Sequence, residues 1–190
     1  MNTPNLLTVV RATLVPVFLI IMLTDFKHHF LVALILFIIA SLTDWFDGKL
    51  ARKNDLVTNF GKFLDPLADK MLTTAALLGF IVIGDKIPGA VWVAFITLFR
   101  EFIVAGVRLS AVADGGKVIA ANIWGKLKTV SQMIAIIVIL FAGWLFEIGF
   151  RYAEYVNIFG VVILWIATLL TVISGFIYVK QNIEYIDFRK

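Results

Sequence analysis

Six apolar stretches run through the chain, at residues 6–24, 30–46, 63–83, 91–112, 130–150 and 156–179. Each is close to the ~20 residues an α-helix needs to cross a bilayer core. The interruptions carry turn or polar chemistry: Asp25-Phe26-Lys27-His28-His29, Asp85-Lys86-Ile87-Pro88-Gly89, Asp114-Gly115-Gly116-Lys117, and the segment from Glu147 to Glu154. The pattern predicts an all-α, polytopic membrane protein with six transmembrane helices. No linker, low-complexity tract or internal repeat divides the chain, so residues 1–190 are expected to form a single domain.

Composition sharpens this reading. The chain is 61% hydrophobic and only 16% charged, with a mean hydropathy of +0.97. Soluble domains carry about 25% charged residues. There is no cysteine, which excludes disulfides, thiolate metal sites and cysteine nucleophiles. The net charge of +4 would suit nucleic acid, but basic loops on a membrane protein explain it better, and no nucleic-acid partner is expected. The first five residues hold no basic run, so no cleavable leader is expected.

Lys and Arg also set the orientation. Eleven fall on one side: Lys49, Arg52, Lys53, Lys62, Arg108, Lys117, Lys126, Lys128, Lys180, Arg189 and Lys190. The opposite loops hold Lys27, Lys86 and Arg151. The positive-inside rule then puts both termini, and the facing ends of helices 2 and 3, in the cytoplasm. The location expected is the cytoplasmic membrane, crossed several times. Arg11, Lys70 and Arg100 lie within apolar stretches and need separate reasons.

Four aspartates lie at the ends of helices 2 and 3, in the run Asp44-x2-Asp47-Gly48-x2-Ala51-Arg52-x8-Gly61-x3-Asp65-x3-Asp69. A carboxylate at membrane depth costs about 2.5–3.5 kcal/mol on insertion scales. Spacings of three and four put each pair on one helix face. If helices 2 and 3 are antiparallel neighbours, the four carboxylates surround one cavity. With no His or Cys nearby, the ligand set is all oxygen, which favours Mg2+ or Mn2+ over structural zinc. Four such carboxylates suit two divalent cations, the arrangement used for displacement at phosphorus. Gly48, Ala51 and Gly61 leave room beside them, and Arg52 suits a pyrophosphate. The rival reading is an ion or proton path in a transporter, but such sites lie near the midplane, often on repeated, broken helices.

This run resembles the signature of the CDP-alcohol phosphotransferase family at every fixed position. The resemblance implies a six-helix membrane enzyme, usually a homodimer. Such enzymes move a substituted phosphate from a CDP-linked donor to an alcohol and release CMP. By that resemblance Asp44, Asp47, Asp65 and Asp69 bind two divalent metals, and Asp69 is the catalytic base for the acceptor hydroxyl. Gly48, Ala51, Arg52 and Gly61 would line the CDP-donor site, together with Asn5, Thr8 and Arg11. Those last three recur on one face after Pro4, within a P-N-x-L-T-x-x-R pattern shared with the branch of the family that uses glycerol 3-phosphate. The residues alone equally allow a capped helix start with an arginine reaching for the interface.

Two patches bear on the acceptor. Arg100 and Arg108 are two turns apart on one helix face, and Arg100-Glu101-Phe102 resembles the same branch. Glu101, being adjacent, is expected on a different face from Arg100. The patch Gly125-Lys126-Leu127-Lys128-Thr129, with Gln132 beyond it, offers two lysines on different faces, of which Lys126 is expected in the pocket. Arg100, Arg108 and Lys126 would then bind an acceptor phosphate. The expected reaction joins the phosphatidyl group of CDP-diacylglycerol to sn-glycerol 3-phosphate, at a cytoplasmic active site reached from membrane lipid. The alternatives are phosphatidylglycerol or inositol phosphate as acceptor, or a divalent-cation or proton-coupled carrier. His28 and His29 are expected on the surface, remote from the aspartates, and Asp55 in a solvated loop. Tyr152, Tyr155, Tyr178 and Tyr185 are expected in interfacial belts.

Overall fold

The computed structural model describes residues 3–53, 59–113 and 123–183, with side chains over 10–43, 70–111 and 123–183. These residues form six α-helices: α1 (Thr3–Leu23), α2 (His29–Lys53), α3 (Asn59–Ile83), α4 (Ala90–Ala113), α5 (Ile123–Glu147) and α6 (Ala153–Gln181). A 3-10 turn, Gly84–Lys86, joins α3 to α4, and no strand occurs among the described residues. Each expected apolar stretch falls on one helix, with the first running past the end of α1 at Leu23 and the fifth past the end of α5 at Glu147. Among the described residues, α4, α5 and α6 are long and apolar enough to cross a membrane.

Between lipid-like surfaces the hydrophobic effect does not pull helices together, so close packing of small side chains must do so. The inward faces follow that rule: Ala33, Ala76, Ala135 and Ala142 are fully buried. Phe18, Phe37, Phe80, Ile136 and Leu140 fill the space they leave. Large apolar residues such as Phe95, Phe99, Phe102, Leu169 and Phe176 point outward instead. The most extensive pairing is α5 with α6, while α1 packs against both α2 and α3, and α6 against α4. Gly160 on α6 permits the first of these, since a Cβ there would lie 2.8 Å from Ile139.

The turns 24–28, 84–89 and 148–152 gather at one end. Asn157 donates to the Lys86 carbonyl at 2.6 Å, and Trp165 Nε1 to the Pro88 carbonyl at 3.2 Å. Glu147, at the end of α5, accepts the Phe30 backbone N–H at 3.0 Å and lies 3.3 Å from His29 Nε2. Trp144 Nε1 donates to His28 Nδ1 at 3.2 Å. The histidine pair is therefore not simply superficial: the His29 side chain is only 13% exposed, because α5 brings a carboxylate to the start of α2. The opposite end holds the starts of α1, α3 and α5 and the ends of α2, α4 and α6.

Gly89 shows how tightly the first end is built. Its φ of +74° belongs to the left-handed region, and an added Cβ would lie 2.5 Å from the Trp165 ring. Gly89→Ala combines backbone strain with a clash. It should cost about 1–3 kcal/mol and lower the thermal midpoint in detergent by roughly 2–4 °C per kcal/mol. An unchanged midpoint in a thermal-shift measurement would refute this packing.

Candidate active site

A cavity of about 180 Å³ opens among α3, α4, α5 and α6. One water needs roughly 10–15 Å³ of such space, so a small organic molecule fits. The lining is polar in two layers. Lys70, Arg100, Arg108 and Lys128 supply cations from α3, α4 and α5. Thr73, Thr97, Gln132 and Ser174 supply neutral polar groups about one turn away from them or from Tyr178. Since α3 and α5 run opposite to α4 and α6, every one of those offsets leads toward the end where the three turns gather. The cations therefore face the other end, where the aspartate-bearing segments lie on α2 and α3.

Four cations so close together need an anion, and Glu101 supplies it. Its Oε1 accepts from Arg100 Nη1 at 3.1 Å and from Lys128 Nζ, while Oε2 accepts from Lys70 Nζ at 2.8 Å. The Glu101 side chain is 17% exposed. Buried charges of this kind persist only when paired and hydrogen-bonded. Arg108 has no ion pair among the described residues and remains available to a ligand. On α6, Gly175 makes room for the arginine: a Cβ there would lie 2.8 Å from Arg100 Cγ.

The structure corrects two expectations here. Lys126 is exposed and outside the cavity wall, whereas Lys128 is buried and forms part of it. The two lysines do point to different faces, as their spacing requires, but the inward one is Lys128. Glu101 does pair with Arg100, although they are neighbours in sequence. Adjacent Cβ atoms diverge, yet a guanidinium on a three-carbon stem reaches back to a carboxylate that two lysines already hold in place.

Arg100 and Arg108 both line the cavity. Arg11 is buried to 2%, so it is not an arginine reaching for the interface. It lies on α1, the helix packed against both α2 and α3. The backbones of Asn5 and Thr8 belong to α1, those of Asp44, Asp47, Gly48, Ala51 and Arg52 to α2, and those of Gly61, Asp65 and Asp69 to α3. Their side chains lie outside the described residues, and Asp55 lies outside them altogether. Among the described residues, no three acidic, His or Cys side chains group as a metal site. The side chains of all four expected ligands lie outside those described, and their all-carboxylate donor set is chemically suited to a hard divalent cation.

Sequence reasoning left Lys70 without a role, set Lys128 behind Lys126 and did not place Tyr178 in the site. Tyr178 is buried in the cavity wall rather than in an interfacial belt. One signal for Lys70 was present: it directly follows Asp69 and is a charge inside an apolar stretch.

A family model described as CDP-alcohol phosphatidyltransferase matches residues 1–173. The chain belongs to this family and is an enzyme of its class. It is 44% identical to the CDP-diacylglycerol–glycerol-3-phosphate 3-phosphatidyltransferase of Bacillus subtilis (strain 168), over 96% of each chain. A protein of the same name from Rickettsia bellii (strain RML369-C) is 35% identical over 97% of each. A probable phosphatidylglycerophosphate synthase from Mycobacterium tuberculosis (strain ATCC 25618 / H37Rv) is 40% identical over 96% of this chain and 82% of its own length.

Proposed function

We propose that this enzyme transfers the phosphatidyl group of CDP-diacylglycerol to sn-glycerol 3-phosphate, giving phosphatidylglycerol phosphate and CMP. The observation that carries the acceptor is the cationic cavity beside Lys70, the residue that follows the last aspartate of the signature. A phosphorylated alcohol needs cations for its phosphate within one small molecule's length of the reacting hydroxyl. Lys70, Arg100, Arg108 and Lys128 meet that need. Phosphatidylglycerol or a non-phosphorylated alcohol has less use for such a wall.

In this reading Asp44, Asp47, Asp65 and Asp69 hold two divalent cations, Mg2+ or Mn2+. Bound there, the ions supply neutralisation of the donor's pyrophosphate. Asp69 takes the proton from the acceptor's C1 hydroxyl. The hydroxyl oxygen forms a bond to the β-phosphorus as the bond from that phosphorus to the CMP oxygen breaks, and CMP leaves with the electron pair. Asn5, Thr8, Arg11, Gly48, Ala51, Arg52 and Gly61 shape the nucleotide side. Burial of Arg11 beside α2 and α3 supports its part in that site.

The same reading has one domain of six membrane-crossing helices, both termini in the cytoplasm and the site opening on that side. The excess of Lys and Arg at the signature end supports that sidedness. There the donor's acyl chains stay in lipid while its head group meets a soluble acceptor. The family resemblance adds a homodimer, for which a protein mass in detergent of twice 21.2 kDa is the test.

The functional test is CMP release by the purified full chain with CDP-diacylglycerol and Mg2+. Release is expected only when glycerol 3-phosphate is added. Release with phosphatidylglycerol or inositol phosphate instead would reassign the acceptor. No release with any alcohol, together with cation flux in vesicles, would favour a carrier.

A further inference from the structure

Glu101 is the least expected member of the cavity. An enzyme that must attract a phosphate has placed a carboxylate among the cations that would bind it. Four cations and one carboxylate leave an excess of three positive charges in the wall. A phosphate monoester brings about two negative charges. Glu101 thus does not cancel the attraction, and its role must be sought in geometry.

The three cations it holds come from three helices: Lys70 from α3, Arg100 from α4 and Lys128 from α5. Lys70 is half-exposed at 43%, and Lys128 is nearly enclosed at 9%. Without the carboxylate, Lys70 would turn toward water, and Lys128 would be left an uncompensated buried charge beside a guanidinium. The three would repel one another and lose their common focus.

We infer that Glu101 is a positioning residue for the acceptor phosphate, its carboxylate gathering Lys70, Arg100 and Lys128 into a preformed cationic cradle. Preorganisation of this kind raises affinity by removing the ordering cost at the moment of binding. The inference rests on reading the cavity as the glycerol 3-phosphate site. Its consequence runs against simple charge counting. Coulomb's law alone says that removing a negative charge should tighten phosphate binding. A cradle that has lost its centre should weaken it.

The test compares wild type, Glu101→Gln and Glu101→Asp as full chains in detergent, measuring CMP release while each substrate is varied in turn. Glu101→Gln is expected to raise KM for glycerol 3-phosphate at least tenfold, leaving KM for CDP-diacylglycerol within about twofold. Glu101→Asp keeps the charge on a shorter arm and should recover part of the loss. A lower or unchanged acceptor KM in Glu101→Gln overturns the inference, because the carboxylate would then be a competitor or a bystander. So does a parallel rise in both KM values with a lowered thermal midpoint, which marks a merely structural role. Glu101→Asp performing no better than Glu101→Gln is equally fatal. Wild type failing to use glycerol 3-phosphate would sink the functional reading instead. Calorimetric binding of inorganic phosphate then decides the present point: weaker binding to Glu101→Gln than to wild type sustains it, and equal or tighter binding overturns it.

Discussion

Asp69→Asn is expected to reduce turnover by a factor of 10³ or more while changing KM for CDP-diacylglycerol only a few-fold. The two side chains have nearly the same shape, so the substitution leaves packing intact. The amide cannot take up the hydroxyl proton at neutral pH, and positioned proton transfer is worth roughly 10²–10⁴ in rate. The amide oxygen is also a weaker ligand for a divalent cation than a carboxylate oxygen, which adds to the loss. In the proposed reading donor recognition is spread over α1, α2 and Gly61 of α3, and should survive. The measurement is kcat for CMP release at saturating glycerol 3-phosphate, with donor KM determined in parallel. More than a tenth of wild-type kcat would remove Asp69 from the role of base. A loss confined to donor KM would make it a binding residue alone.

Lys128→Met should raise KM for glycerol 3-phosphate by about 10–100-fold, and Lys126→Ala by less than threefold. Methionine keeps the length and apolar stem of lysine but deletes the charge. A hydrogen bond to a charged group contributes about 1.5–3 kcal/mol, and each 1.4 kcal/mol is a factor of ten. Glu101 keeps Lys70 and Arg100 as partners in the variant, so the helices should stay in place. Lys126 is exposed, and an exposed cation in high dielectric contributes little to a contact it does not make. Steady-state kinetics on the two variants decide the matter. Equal effects, or a larger one from Lys126, would mean that the lysine facing the acceptor has been chosen wrongly.

These two experiments probe parts of the protein that were unequally legible beforehand. The helices were visible because lipid-facing and core-facing positions are both apolar, so hydropathy alone finds them. Their ends were less visible where chemistry intrudes. The fifth apolar stretch begins at 130, yet α5 begins at Ile123, because the cavity gives Lys128 a partner inside the helix. Likewise α2 runs through the signature to Lys53 rather than stopping with the apolar residues near 46. In both places the backbone stays helical since every interior N–H is satisfied within the helix, whatever the side chains carry.

Arg100 illustrates the limit more sharply. Its depth in an apolar stretch announced that it needed an anion, but not which one. Periodicity pointed away from Glu101 because it describes where Cβ atoms lie, not where long side chains end. Only the meeting of α3, α4 and α5 showed that one carboxylate serves Lys70, Arg100 and Lys128 together. His29 was misread for the same reason: it lies far from Glu147 in the chain, and the packing of α2 against α5 joins them.

By itself, the order of residues determined the helical class, the family and the run of aspartates, since these depend on composition and on spacing within single segments. Which lysine enters the cavity, what neutralises it and that Arg11 is buried were decided only by the tertiary structure. The physical reason is that a helix fixes the relative angles of its own side chains, whereas its rotation against its neighbours is set by packing. That rotation alone determines which angle faces the cavity.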